Sequence, residues 1–269
     1  MMSETRGALR VGSVPYLNAR PLVRHLNPAQ PPVMELRFEV PSRLTTLMEG
    51  GRLDVALLPS IEYFRSKGYR ILPGISLSAD GPVQSVCIFS KVPIERIRCL
   101  ALDDSSRTSV ALAKILLKRK LGSLPRLAVC SPDCRLRNIE ADAALLIGDA
   151  AMRFYSQNAP FIMDLGEEWK KLTGLPFVYA MWVVRPGIDT RELEPKLLQA
   201  RDEGVARIPG IAVEASRELG LSEEVCLNYL TNIMKYGLEE RELEALRIFQ
   251  GLAAQDGLCQ GDAPLAVDH

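Results

Sequence analysis

Short apolar segments alternate with amphipathic ones at the start of the chain, and this limits the possible fold more than any other feature. Residues 9–14 form a short apolar strand candidate, residues 54–58 are almost wholly apolar, and residues 34–40 alternate apolar and polar side chains. Both patterns are typical of strands. Residues 16–26 and the stretch after Ser42 instead repeat apolar side chains at helical spacing. Strands that alternate with helices predict an α/β fold with a parallel sheet.

A second set of strands and helices is predicted for residues 99–174. Extended segments at residues 85–90 and 177–184 flank it, and we expect both to cross between two lobes. Two crossings mean that the second lobe is inserted into the first, with a ligand-binding cleft between them. The predicted lobes are residues 1–88 plus 180–269 for the first, and residues 89–179 for the second.

The last third of the chain is predicted to be helical. Residues 191–207, 222–236 and 239–252 are amphipathic, with apolar side chains on one face. We expect these three segments to form helices that complete the first lobe.

Charge and composition exclude several classes of partner. Lysine plus arginine (33) equals aspartate plus glutamate (33), so neither nucleic acid nor a membrane surface is expected as partner. No apolar run is long enough for a membrane helix, and no signal peptide is recognisable, so we expect a cytoplasmic protein. Cys130 and Cys134 are the only close cysteine pair, and the histidines are His25 and His269. These ligands are too few for a zinc site, and no metal is expected.

Three loops join the end of a predicted strand to the start of a predicted helix: residues 13–21, 57–63 and 101–112. Ligands of open α/β sheets bind at such loops, and helix N-termini suit carboxylates. Hydroxyl, amide and guanidinium groups could supply further donors. The candidates are Asn18, Arg20, Ser60, Ser106, Arg107, Thr108 and Ser109.

A simpler interpretation stays open for each loop. Serine and threonine before a helix are usually helix caps, and Arg107 could be a solvated surface charge. The nucleophile elbow, phosphate-binding loops and the zinc-protease motif are missing from the sequence. The positions of His25 and His269 argue against histidine base catalysis. From the residues alone, the chain is a two-lobed binder of a small carboxylated ligand.

Six segments together resemble one family. They read SVPYLNARP, GRLDVALLPSIEY, GISLSADGPVQSV, ALDDSSRTSVAL, ALLIGDAAM and DLGEEWKKLTGLPFVYAMW, and they follow in order over residues 9–250. This pattern is similar to the menaquinone-pathway family, which contains chorismate dehydratase and its sister, 1,4-dihydroxy-6-naphthoate synthase. The resemblance implies an α/β fold of the type II periplasmic-binding-protein kind, with two lobes and a cleft between them.

The resemblance also implies an activity and a set of site residues. The sister synthase carries a histidine where this chain has Gly148 and Asp149, which favours the dehydratase, a hydro-lyase at the start of the futalosine route. The implied catalytic residues are Asn18 and Ser85. The candidate substrate-binding residues are Ser60, Ser106, Arg107, Thr108, Ser109 and Asp149, and no cofactor is implied.

Chorismate dehydration suits such a site. Loss of the ring proton beside the ether oxygen gives an anion delocalised into the ring carboxylate, and loss of the hydroxyl makes the ring aromatic. The protein must bind two carboxylates and stabilise the developing charge. The substrate's own enolpyruvyl carboxylate is one candidate base, and Asp149 is the first candidate in the protein. The synthase and a non-catalytic binding protein stay as alternatives, and the sequence does not indicate an oligomeric state.

Overall fold

A computed structural model describes residues 8–30, 34–103, 106–130, 139–155, 159–261 and 264–268. Two β-sheets with helices packed around them form two lobes of an α/β fold. Cys134 and His269 lie outside the described residues, as does the side chain of Cys130. Among the described helices, none combines the length and the apolar character that crossing a membrane requires.

The first sheet has six strands in the order β11-β4-β10-β3-β1-β2. Strand β1 is parallel to β2 and β3, whereas β10 is antiparallel to both of its neighbours. The parallel strands all end at the same edge, which places the loops that follow β1 and β3 side by side. The strands are β1 (Leu9–Ser13), β2 (Met34–Phe38), β3 (Val55–Pro59), β4 (Arg70–Ala79), β10 (Phe177–Val184) and β11 (Met234–Lys235).

The second sheet has five strands in the order β7-β6-β8-β5-β9. Strand β6 is parallel to β7 and β8, and β5 is antiparallel to β8 and β9. The two sheets therefore share one arrangement, in which an antiparallel strand lies beside a parallel set. The strands are β5 (Val86–Ser90), β6 (Cys99–Asp103), β7 (Arg126–Cys130), β8 (Ala143–Ile147) and β9 (Phe161–Asp164).

Helices cover the sheets and follow the strand ends. They are α1 (Arg20–Val23), α2 (Pro41–Glu49), α3 (Ser60–Arg65), α4 (Thr108–Leu121), α5 (Gly148–Tyr155), α6 (Leu165–Thr173), α7 (Leu193–Ala206), α8 (Ile208–Leu219), α9 (Glu223–Asn228) and α10 (Glu240–Gln255). Short 3₁₀ turns span Leu17–Ala19 and Ile94–Arg96.

Two predicted helices differ from the structure. The segment predicted at residues 16–26 is the 3₁₀ turn followed by the four-residue α1. The segment predicted at residues 222–236 is α9, then a π-helical turn at Tyr229–Ile233, then strand β11. The helix gives way there because Met234 and Lys235 pair with β4, whose edge would otherwise be open.

The two segments predicted to cross between the lobes each lie within one sheet. Strand β5 pairs only in the second sheet and β10 only in the first. The chain passes between the sheets just outside these strands, at residues 80–85 and 174–176. The exact lobe boundaries and the hinge stay predictions.

An aromatic cluster packs α6, which follows the second sheet, against the first sheet. The Trp169 ring of α6 lies 5.0 Å from the Phe177 ring of β10 and 6.0 Å from the Phe249 ring of α10. All three side chains are at most 1% exposed. Because α6 follows the last strand of the second sheet, this packing fixes that sheet against the first.

Candidate functional site

A pocket with about 590 Å³ of empty space, including its mouth, lies between the two sheets. The first sheet and its loops contribute Val14, Tyr16, Asn18, Pro41, Leu57, Pro59, Leu77, Tyr179, Ala180 and Met234. The segments around the second sheet contribute Val83, Ser85, Val86, Ser106, Arg107, Thr108, Ser109, Ile147 and Gly148.

The structure brings six of the eight candidate site residues to this pocket: Asn18, Ser85, Ser106, Arg107, Thr108 and Ser109. Arg107 is the one charged side chain among the described residues that line it. Ser60 and Asp149 do not line it and lie behind its wall. The chemical roles of all eight residues stay predictions.

Asn18 reaches the pocket from the 3₁₀ turn after β1. Tyr16 before this turn is extended, which turns the chain away from the sheet. The Leu17 side chain is fully buried, and its backbone N–H donates to Asp149 Oδ1 at 3.0 Å. The turn that carries Asn18 is therefore fixed by the buried Leu17 side chain and by Asp149 at the other side of the cleft. Its Oδ1 atom is shielded from solvent and has no hydrogen-bond partner in the described part of the chain.

Ser85 enters the pocket on a strained turn before β5. Gln84 has a φ of 61°, the one positive value among the described residues other than glycine. The Ser85 N–H donates to the Val83 carbonyl at 2.7 Å, which closes a three-residue turn. Such strain persists only where the surroundings impose it, and it is concentrated at functional sites.

The carboxylate of Asp164 imposes this turn. It accepts the backbone N–H groups of Val83 and Gln84 at 2.7–3.0 Å, and those of Gly166 and Glu167 at 2.9–3.1 Å. Burial raises the pKa of Asp164, and these four donors oppose that shift. One side chain thus caps α6 and fixes the backbone on which Ser85 sits.

The N-terminus of α4 forms another wall of the pocket. Thr108 and Ser109 are buried in its first turn, and exposed Arg107 precedes them. The free N–H groups of the first turn and the guanidinium make this wall favourable for a carboxylate. Thr108 Oγ1 is already engaged, because it accepts the N–H of Ile61 at 3.2 Å.

Ser60 and Asp149 act on the wall from behind. Ser60 Oγ donates to the Val178 carbonyl at 2.8 Å and lies 3.4 Å from Thr108 Oγ1. Asp149 accepts the Leu17 N–H, and burial raises the pKa of its carboxyl. These contacts favour positioning roles over direct substrate contact. Arg20, another candidate donor, pairs with Glu218 at 2.6 Å.

The backbone conformation and the surroundings of Gly148 favour glycine at this position. Its φ is 58°, and a Cβ there would lie 3.2 Å from the Tyr16 ring. Its N–H donates to the Ser85 carbonyl at 2.8 Å, which ties the start of α5 to the turn of Ser85. A histidine at this position would have a strained backbone, and the Tyr16 ring would have to shift by a few tenths of an ångström.

Sequence reasoning missed three tyrosines. Tyr16 and Tyr179 line the pocket, and the Tyr179 hydroxyl is buried with no partner among the described residues. Tyr229, in the π-helical turn, donates its hydroxyl proton to Ser85 Oγ at 2.7 Å. Tyr229 followed the apolar pattern of the predicted helix at residues 222–236, so only its hydroxyl hinted at another role.

Comparison with solved structures shows the fold. The chain is similar to an Archaeoglobus fulgidus protein at a TM-score of 0.77 and 18% identity, covering 95% of this chain and 100% of the other. The alkanesulfonate-binding protein of Xanthomonas axonopodis pv. citri, bound to MOPS, is similar at a TM-score of 0.72 and 13% identity, and the match covers 99% of each chain. A Candida albicans protein described as having the generic periplasmic-binding-protein fold is similar at a TM-score of 0.65 and 12% identity. The match covers 97% of this chain and 96% of the other.

Comparison with sequences shows the family. The family model for menaquinone biosynthesis matches residues 9–255. The chain is 32% identical over 228 residues to the chorismate dehydratase of Thermus thermophilus, covering 78% of this chain and 83% of that one. It is 27% identical over 246 residues to the chorismate dehydratase of Campylobacter jejuni, covering 88% and 94%. This chain therefore belongs to the menaquinone biosynthesis family, on a two-lobed fold of the periplasmic-binding-protein kind.

Proposed function

We propose that this protein is a hydro-lyase that converts chorismate to 3-[(1-carboxyvinyl)oxy]benzoate and water, the first step of the futalosine route to menaquinone. Two relatives of the chain are chorismate dehydratases. The observation that carries the proposal is the pocket between the sheets, where Asn18, Ser85 and the start of α4 meet beside Arg107. A cytoplasmic location, as predicted from the sequence, is part of the proposal.

The pocket suits a dianionic, ring-shaped ligand. Arg107 and the free N–H groups of α4 would bind one carboxylate, with Ser109 as a further donor. The apolar side chains of Val14, Leu57 and Ile147 would contact the ring. Ser85 and Asn18 would lie beside the reacting edge, where hydrogen bonds stabilise the developing charge and the departing hydroxyl.

The base in this proposal is the enolpyruvyl carboxylate of the substrate. Of the side chains described as lining the pocket, none is a histidine or a carboxylate. Asp149, the first candidate in the protein, is turned toward Leu17 behind the wall. A base carried by the substrate would need only correct placement. The contacts that fix Asn18 and Ser85 from both sides of the cleft would support such placement.

The sister synthase reaction has less support. The synthase carries its histidine where this chain has Gly148, and that glycine has both a positive φ and the Tyr16 ring against it. The position therefore disfavours the residue on which that reaction is taken to depend.

Incubation of the purified protein with chorismate tests the proposal. We expect mass spectrometry to show the loss of one water without added metal or nucleotide. Loss of activity on chelation, with recovery on adding a divalent metal, would overturn the metal-free part. Tight binding of chorismate without turnover would instead favour a non-catalytic binding protein.

A further inference from the structure

We propose that Tyr229 is a positioning residue that sets the direction of the hydrogen bonds made by Ser85 and Asn18. This inference rests on the proposed function and adds a residue behind the pocket wall. Through Tyr229, Ser85 becomes a donor toward the ligand and Asn18 becomes an acceptor toward it.

The contacts place one hydroxyl between two candidate catalytic residues. Tyr229 is 1% exposed, and its hydroxyl donates to Ser85 Oγ at 2.7 Å. The Asn18 side chain acts on the same hydroxyl, because it lowers the pKa of the Tyr229 phenol. Ser85 precedes the second sheet and Asn18 follows β1 of the first, so Tyr229 connects groups that come from the two sides of the cleft.

In the arrangement that we propose, Tyr229 is the donor to Ser85, and proton counting then gives the direction of the other hydrogen bonds. A phenol has one proton, and here Ser85 Oγ accepts it. The serine proton must then be donated elsewhere, and Ser85 lines the pocket. The Asn18 amide can offer the phenol oxygen only an N–H, and its Oδ1 has no partner among the described residues. The pocket thereby receives one hydroxyl donor and one carbonyl acceptor at fixed positions.

Two further observations support the role. Burial raises the pKa of the Tyr229 phenol well above its ordinary value, so the hydroxyl keeps its proton at physiological pH. Tyr229 also opens the π-helical turn at Tyr229–Ile233, where α9 ends. Short π-helical segments are rare and are often found at functional sites. The wide turn allows Tyr229 to face Ser85 while Met234 begins β11.

The test is Tyr229→Phe, with Tyr236→Phe as the matched control. The Tyr236 hydroxyl is also buried but has no partner in the described structure, so its removal deletes no hydrogen bond. We expect Tyr229→Phe to lower kcat about tenfold, the loss of one hydrogen bond of ordinary strength, with little change in KM. Tyr236→Phe should keep the wild-type kcat.

A double-mutant cycle separates positioning from general damage to the fold. In a Ser85→Ala background, Tyr229→Phe should lower kcat less than it does in the wild type, because one of the two residues it positions is gone. A wild-type kcat in Tyr229→Phe, or an equal loss with and without Ser85, would overturn the inference.

Wild-type turnover of chorismate, measured first, tests the proposed function separately. If the wild type binds chorismate without turnover, the same variants are compared by chorismate affinity. The inference would still be supported if Tyr229→Phe weakened the affinity, Tyr236→Phe did not, and the effect of Tyr229→Phe were smaller in a Ser85→Ala background. Equal affinities in all of these variants would overturn it.

Discussion

Asn18 keeps an unpaired acceptor in the pocket wall. Its Oδ1 atom is shielded from solvent and has no partner among the described residues. Leaving a buried polar group unpaired typically costs on the order of 1–3 kcal/mol. A ligand hydroxyl would remove that cost on binding. The Tyr179 hydroxyl lines the same pocket and also has no partner among the described residues, so the pocket presents both an acceptor and a donor to a polar ligand.

Replacement of Asn18 tests this at the residue scale. Asn18→Leu keeps the size of the side chain but removes its polar groups. We expect kcat for chorismate to fall on the order of 100-fold, with a smaller effect on KM, if the contact is made mainly in the transition state. Steady-state kinetics measure both constants.

The control for this prediction is His25→Ala. His25 lies outside the pocket lining, and its ring is 3.4 Å from the Arg207 guanidinium. We expect this variant to keep its activity. Near wild-type turnover in Asn18→Leu would show that Asn18 is only structural.

At the scale of elements, burial decides what the sequence could reveal. Strand β3 is at most 1% exposed over Val55–Leu58, and a strand covered on both faces must be apolar throughout. The same argument located the ends of strands, and through them the loops that follow β1, β3 and β6. Asn18, Ser85 and the Ser106–Ser109 segment were found through those loops and the family resemblance.

The π-helical turn and Tyr229 could not be found in this way. Residues 222–236 keep one apolar face throughout, so their periodicity predicts a single helix. Lys235 ends that helix by pairing with Ser78, 157 residues away in the chain, and Tyr229 bonds to Ser85, 144 residues away. Such partners are set by tertiary packing, which local spacing does not record.

Asp54 joins three strands of the first sheet. It precedes β3 and accepts from the Arg10 backbone and guanidinium at 2.6–3.0 Å and from Arg185 at 2.9 Å. Burial disfavours the charged carboxylate and raises its pKa. The hydrogen bonds from the two arginines together outweigh this effect and lower the pKa to about 2. Its side chain is 8% exposed, whereas the Arg10 side chain is 35% exposed, so solvent screens these bonds in part.

Asp54→Asn should therefore destabilise the protein in a pH-dependent way. The unfolded carboxyl ionises near pH 3.9, so a folded pKa of about 2 stabilises the fold above that pH by roughly 2 kcal/mol. This stabilisation is lost as the pH falls from about 5 through 2. Chemical denaturation at several pH values should show the variant converging on the wild type in acid.

Asp202→Asn is the matched control for Asp54. Asp202 pairs with Arg201 at 2.7 Å, but its side chain is 67% exposed. Exposed ion pairs contribute about 0–1 kcal/mol. A loss at Asp54 as small as the loss at Asp202 would contradict the prediction.

At the scale of the whole molecule, three polar contacts close the cleft. The Leu17 N–H donates to Asp149, the Ile61 N–H donates to Thr108, and Tyr229 donates to Ser85. Each joins a segment of the first sheet to a segment at the second. Because all three border the pocket, separating the two sheets would break them together.

Asp149 is the contact whose variants separate positioning from base catalysis. Asp149→Asn keeps an oxygen that can accept the Leu17 N–H, so we expect it to retain most turnover, whereas Asp149→Ala should lose more. Loss of turnover as complete in Asp149→Asn as in Asp149→Ala would instead make this carboxylate the base.

The stability of the same variant depends on pH in the opposite sense to Asp54. Burial raises the pKa of Asp149, so the fold favours its protonated form. The wild type should lose stability relative to Asp149→Asn as the pH rises from about 4. Thermal unfolding of both proteins between pH 4 and 8 measures this difference.

The aromatic cluster of Trp169, Phe177 and Phe249 has a consequence for observing the molecule. The chain has two tryptophans, and both are fully shielded from solvent. Trp182 lies within a strand of the first sheet, whereas Trp169 lies on α6 against β10 and α10. Movement of α6 away from these elements would expose the Trp169 indole to solvent and leave the Trp182 indole buried. The emission wavelength of Trp169, read in a Trp182→Phe background, therefore reports the movement of the lobes without any added dye.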